Sequence, residues 1–153
     1  MSRPSVCKLL VCLAIATSPS ALHAQTSAVE PGRKTDFGYV RSIKKLDGVT
    51  HIAFDRAQLL TGKKAIAYSI SKGMGDEVPN DYIVVNDNRK LRDLVLAPSG
   101  KVYGTGILRN TTEPVPVTLQ EFAKAVAKYK EVPVNITYDK QLRVVRMAEQ
   151  FFP

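Results

Sequence analysis

The sequence predicts an α+β domain: a mainly antiparallel sheet, curled or closed into a small partly open barrel, with two helices. Period-two alternation of apolar and polar residues recurs from Phe37 onward, as half-buried strands require. Turn signals at Asp47-Gly48, Pro79-Asn80-Asp81 and Pro98-Ser99-Gly100 interrupt it at short intervals. Only two stretches, 61–75 and 118–130, carry helical spacing. Strands joined mostly by tight turns pair antiparallel, and curling the sheet disposes of its edges.

Residues 1–24 read as a secretory signal peptide. Arg3 and Lys8 make a basic start, Leu9 to Ala16 is a short apolar run, and Ala21-Leu22-His23-Ala24 precedes the cleavage point at Gln25. The run falls far short of the ~20 residues a spanning helix needs, so no transmembrane segment is expected. Residues 25–35, polar and broken by Pro31-Gly32, form a flexible lead-in to one domain over 36–153. There Phe37, Tyr39, Arg41 and Ile43 alternate with Gly38, Val40 and Ser42 as a strand. Asp47-Gly48 then turns it into a hairpin whose return strand sets Ile52 and Phe54 on one face and His51 on the other.

A helix follows, with Thr61 as its N-cap, Ala65, Ile66, Ala67 and Ile70 as its apolar side, and Gly73 and Gly75 at its end. Tyr82–Val85 is a strand fenced by Asn80-Asp81 and Asn86-Asp87-Asn88, and Lys90–Ala97 is its return. Residues 101–108 predict a further strand weakened by Gly104 and Gly106. The second helix, 118–130, opens on a capping box of Thr118 with Glu121 and shows one apolar face of Leu119, Phe122, Ala123 and Val126. A closing hairpin, 133–152, turns at Lys140-Gln141.

Export changes the available chemistry. Cys7, Cys12 and His23 depart with the signal peptide, leaving His51 as the only imidazole and no thiol for disulfides. Of 22 basic residues, Arg3 and Lys8 are lost, so 20 face 14 acidic ones, a net charge of +6. Partners of an exported basic domain include an envelope component, an anionic polymer or a membrane surface. Lys44-Lys45, Lys63-Lys64 and Arg89-Lys90 are scattered pairs, which argues against nucleic acid.

Three stretches carry a family resemblance. Asp55, Ala57, Leu60, Thr61, Gly62 and Ala65 fit D-x-A-x-x-L-T-G-x-x-A. Pro79, Asn80, Asp81, Tyr82, Asn86, Asn88, Leu91, Arg92 and Leu94 fit P-N-D-Y-x-x-x-N-x-N-x-x-L-R-x-L. Glu149, Phe151 and Pro153 fit a terminal E-x-aromatic-x-P. With these motifs the chain resembles a family of small secreted bacterial proteins. The resemblance implies export and a single domain, assigns no active site, and leaves Phe122 where the family carries a Trp.

Asp55, Asn80, Asp81, Tyr82, Asn86, Asn88 and Arg92 are the candidate ligand-binding residues, with turn formation as their competing role. An EF-hand register starting at Asn86 puts Lys90 fifth, Leu91 sixth and Ala97 twelfth, so no metal and no cofactor is expected. Arg92 is expected to pair with Asp87 or Asp93. The expected function is an exported non-enzymatic binding or interaction domain of the bacterial envelope, periplasmic or extracellular. One alternative is a small hydrolase drawing on His51, Asp55, Asp76 or Asp81. The other is an electrostatic binder of anionic polymer or lipid.

Overall fold

The computed structural model describes residues 34–152; the expected signal peptide (1–24), residues 25–33 of the expected lead-in and Pro153 lie outside them. At the start of the described residues the Lys34 carbonyl accepts a hydrogen bond from the Tyr138 amide. Strands β1 (Thr35–Leu46) and β2 (Val49–Thr61) form the expected hairpin, with Asp47 at φ 49° and Gly48 at φ 81°. Positive φ at both turn positions is the type I′ geometry that matches strand twist.

Helix α1 (Lys63–Ser71) follows, then a 3-10 turn (Pro79–Asp81), β3 (Tyr82–Val85) and the long β4 (Leu91–Gly104). A single helical turn, α2 (Gly106–Arg109), and the two-residue β5 (Val115–Pro116) lead to α3 (Leu119–Tyr129). The hairpin of β6 (Val132–Tyr138) and β7 (Val144–Glu149) ends the fold. The strand order is β3-β2-β1-β6-β7-β4-β5, and an additional β2–β4 pairing closes β1, β2, β4, β7 and β6 into a five-stranded barrel. Four of its five pairings are antiparallel; β4 and β7 run parallel.

Counting the barrel strands in chain order, pairing runs first to second, third, fifth, fourth and back to first. The parallel pair is third with fifth, and α3 joins third to fourth. This is the connectivity of the OB-fold, a five-stranded Greek-key barrel. Val40, Ile52, Phe54, Val134, Ile136 and Met147 fill it, and Phe122 and Val126 of α3 pack into the same core. Gly38 is required for closure: a Cβ there would stand 2.2 Å from the Asp55 carbonyl oxygen and 2.7 Å from the Phe54 ring.

Several expectations need correction. Thr61 ends β2 and does not cap α1, which starts after Gly62 (φ 52°) with no side-chain cap, so Gly62 makes a turn that Thr61 would find strained. Ala65 and Ser69 form the buried side of α1, whereas Ile70 is exposed. β3 and β4 are not hairpin partners; each pairs with a separate part of β2, at Gln58–Thr61 and His51–Asp55. Pro98-Ser99-Gly100 does not end a strand but bulges within β4, the four residues between Leu96 and Lys101 standing opposite the one between Val144 and Arg146 on β7. Thr105 leaves the strand, and residues 106–109 form a helical turn because Glu149, buried on β7, accepts hydrogen bonds from the amides of Thr105 (2.7 Å), Ile107 (2.5 Å) and Leu108 (3.2 Å).

The capping box forms as expected, with Thr118 Oγ1 accepting from the Glu121 amide and Glu121 Oε2 accepting from the Thr118 amide. Hydrogen bonds from Arg109 and from Thr118 hold the Glu121 carboxyl at about 2, below its ordinary value. A depressed folded pKa stabilises above the unfolded value, and that contribution disappears as pH falls toward 2. Wild-type melting temperature is therefore expected to drop more steeply between about pH 5 and pH 2 than that of Glu121→Gln. Parallel curves in thermal melts would show that the cap contributes nothing. Gly38→Ala is expected to cost about 3 kcal/mol or more in urea unfolding, and an unchanged midpoint would mean the β1–β2 contact yields freely.

Candidate functional site

Two places stand out, one anticipated by the residues and one not. The anticipated place is a fork on the outer barrel wall, where β2 leaves β4 and takes up β3. Asp55, at 1% side-chain exposure, lies there beneath the segment joining β3 to β4. Arg41 Nη2 donates to Asp55 Oδ2 at 2.6 Å and Asn86 Nδ2 donates to the same oxygen at 3.2 Å. The other guanidinium nitrogen, Nη1, donates to Glu131 Oε1, and the guanidinium lies 5.5 Å from the Tyr39 ring centre. Burial raises the Tyr39 phenol, and Glu131 raises it further. Against the burial that disfavours its charge, hydrogen bonds to Asp55 and Glu131 hold the Arg41 guanidinium above its ordinary value.

This fork is a structural clamp on the loop that β3 feeds. Asp55 Oδ1 and Asn86 Oδ1 are shut from solvent, and none of the described cavities is lined by either residue. Tyr82 belongs to the same wall, stacked on Phe152 at 4.7 Å, while Phe37 meets Phe152 edge-on at 6.2 Å. The other four candidates are not gathered here. Asn80 and Asp81 sit exposed in the 3-10 turn, both at φ 58°. Asn88 Oδ1 accepts from the Lys90 amide at 3.0 Å, a turn-forming bond. Arg92 donates to the Lys90 carbonyl at 3.1 Å, which corrects the expected ion pair with Asp87 or Asp93.

A triad is not assembled either: His51 Nδ1 lies 2.9 Å from Asp93 Oδ2, while Asp55 is committed to Arg41. Asp76 and Asp81 lie in separate exposed turns after α1. Among the described residues, no group of His, Cys, Asp and Glu has metal-holding geometry.

The unanticipated place is a groove of about 840 Å³ at one end of the barrel. Its sides are the β1–β2 turn (Lys45 to Thr50), the bulged middle of β4 and the segment Pro116–Leu119. Leu96, Val102, Val117 and Leu119 give it an apolar floor, and Lys45, Lys101 and Arg143 give it three cations with no lining carboxylate. Arg143 is tied to Asp139 at 2.8 Å; Lys45 and Lys101 enter no ion pair among the described residues. The signal in the sequence was Pro98-Ser99-Gly100. A bulge there turns the floor of β4 outward, but its partner wall is distant in the chain and left no local trace.

Because Asp55 is deeply buried and Glu131 is 58% exposed, their pairings with Arg41 differ in weight. Arg41→Met is expected to cost about 3 kcal/mol by stranding the Asp55 charge. Glu131→Gln is expected to cost under about 1 kcal/mol. Urea titrations of both variants decide this, and equal costs would show that Asp55 does not depend on Arg41. No protein-family model, curated protein or solved structure matches the chain.

Proposed function

We propose that this protein is an exported binding domain of the bacterial envelope or exterior, and that its ligand is an amphiphilic anion held in the groove of β4. The signal-peptide layout of residues 1–24 and the three family-like motifs support export. The groove carries the binding assignment, since an apolar floor beside Lys45 and Lys101, which pair with no carboxylate among the described residues, suits a ligand with an apolar body and one anionic group. In barrels of this connectivity, ligands are taken near the loop after the first strand and the loop between the last two. Those loops here contribute Gly48 and Arg143 to the groove, with Lys45 two residues before the first of them. Connectivity alone assigns no function; the side chains make the case.

A hydrolase would need convergence of His51, Asp55, Asp76 or Asp81, and each is held in a different environment. Binding without catalysis is the reading these residues favour.

Calorimetric titration with dodecyl phosphate, inorganic phosphate and dodecanol tests this reading. Dodecyl phosphate is expected to bind best, with affinity falling as salt is added. Lys45→Ala/Lys101→Ala is expected to weaken it on the order of tenfold, about 1.4 kcal/mol. Equal binding by that variant, or no preference for dodecyl phosphate over inorganic phosphate, would overturn it.

A further inference from the structure

The barrel end that carries the groove has an unusual surface. At the β1–β2 turn, Leu46 and Val49 face each other across the register, 55% and 41% exposed, beside Lys44, Lys45 and the exposed Asp47 of the turn itself. At the β6–β7 turn, Leu142 is 63% exposed between Lys140 and Arg143. The two turns are neighbours, since Lys45, Val49 and Arg143 line one cavity. Lys101 from β4 joins them.

The second turn holds its leucine outward under strain. Asp139 Oδ1 accepts from the amides of Gln141 (2.9 Å) and Arg143 (2.8 Å), and the Asp139 carbonyl accepts from Leu142 (3.1 Å). This locks Leu142 at φ 60°, a left-handed conformation that a branched apolar side chain adopts only at a cost. A glycine or asparagine would relieve that strain, and neither would offer an apolar side chain to solvent.

We infer that this end of the barrel docks on an anionic lipid bilayer. Leu46, Val49 and Leu142 enter the headgroup region while Lys44, Lys45, Lys101 and Lys140 meet its phosphates. Exposed apolar tips with four lysines around one turn carboxylate, Asp47, fit interfacial binding, in which each basic side chain near the surface adds attraction to anionic lipid. A polymer such as an acidic polysaccharide would use the lysines and gain nothing from the leucines. The inference rests on the groove reading in one respect: the groove opens where the bilayer would lie, so its anionic amphiphile is drawn from the lipid.

Sedimentation of the protein with phosphatidylcholine vesicles, with and without phosphatidylglycerol, tests docking. Association is expected only with phosphatidylglycerol, and added salt should reduce it. Leu46→Ser/Leu142→Ser should lower partitioning at least about tenfold, as withdrawing two leucines from an apolar phase implies. Lys44→Glu/Lys45→Glu should abolish it. No sedimentation, equal binding to pure phosphatidylcholine, or an unaffected serine variant would overturn docking. So would dextran sulfate displacing the vesicles while binding wild type and serine variant alike. Neither Leu46 nor Leu142 lines the groove, so the serine variant should still bind dodecyl phosphate in vesicle-free titration. Vesicle binding without dodecyl phosphate binding would sink the groove reading and uphold docking; the reverse result would do the opposite.

Discussion

The barrel closes through one strand. β4 is antiparallel to β2 over Leu91–Val95 and parallel to β7 over Leu96–Tyr103, so it joins the two halves of the sheet. The two pairings use successive stretches of β4, and the register against β7 shifts between Leu96 and Lys101. Ala97-Pro98-Ser99-Gly100 supplies the slack: proline has no amide to give to the ladder, and Gly100 lets the backbone pass Leu96 where a Cβ would come within 2.6 Å. The bulge residues Ala97, Pro98 and Gly100 also line the groove. The closing strand and the candidate site therefore share one stretch of chain.

Closure then dictates what the rest of the chain must do. With β2 shared between β3 and β4, a fork opens at Asp55, and Arg41 and Asn86 fill it. The terminal segment is bound in a comparable way, with Glu149 holding the amides of α2 and Phe152 stacked on Tyr82. The motif residues Asp55, Asn86, Tyr82 and Glu149 thus have structural duties. This shifts attention from the Asn- and Asp-rich stretch to the far end of the barrel.

Local signals were legible in the sequence. Asp47-Gly48 turned where its positive φ predicts, Thr118 and Glu121 capped α3, and Ile52 and Phe54 entered the core. Pairing was harder, since it depends on distant partners. Tyr82–Val85 and Lys90–Ala97 looked like a hairpin because they are adjacent in the chain, yet both are paired with β2, which is long enough at 13 residues to serve two partners. The parallel pairing of β4 with β7 left no mark on either strand. For the same reason the groove was illegible: Lys45, Lys101 and Arg143 are far apart in sequence and meet only through closure.

The central claim is that ligand meets the protein at the bulged, cationic end of the barrel and not at the Asn- and Asp-rich fork. Amide chemical-shift mapping by NMR during addition of dodecyl phosphate addresses it most directly. Shifts are expected to concentrate at Lys45, Val49, Leu96, Lys101 and Val102, leaving Asn80–Arg92 unmoved. Shifts confined to Asn80–Arg92, with the groove residues silent, would contradict it.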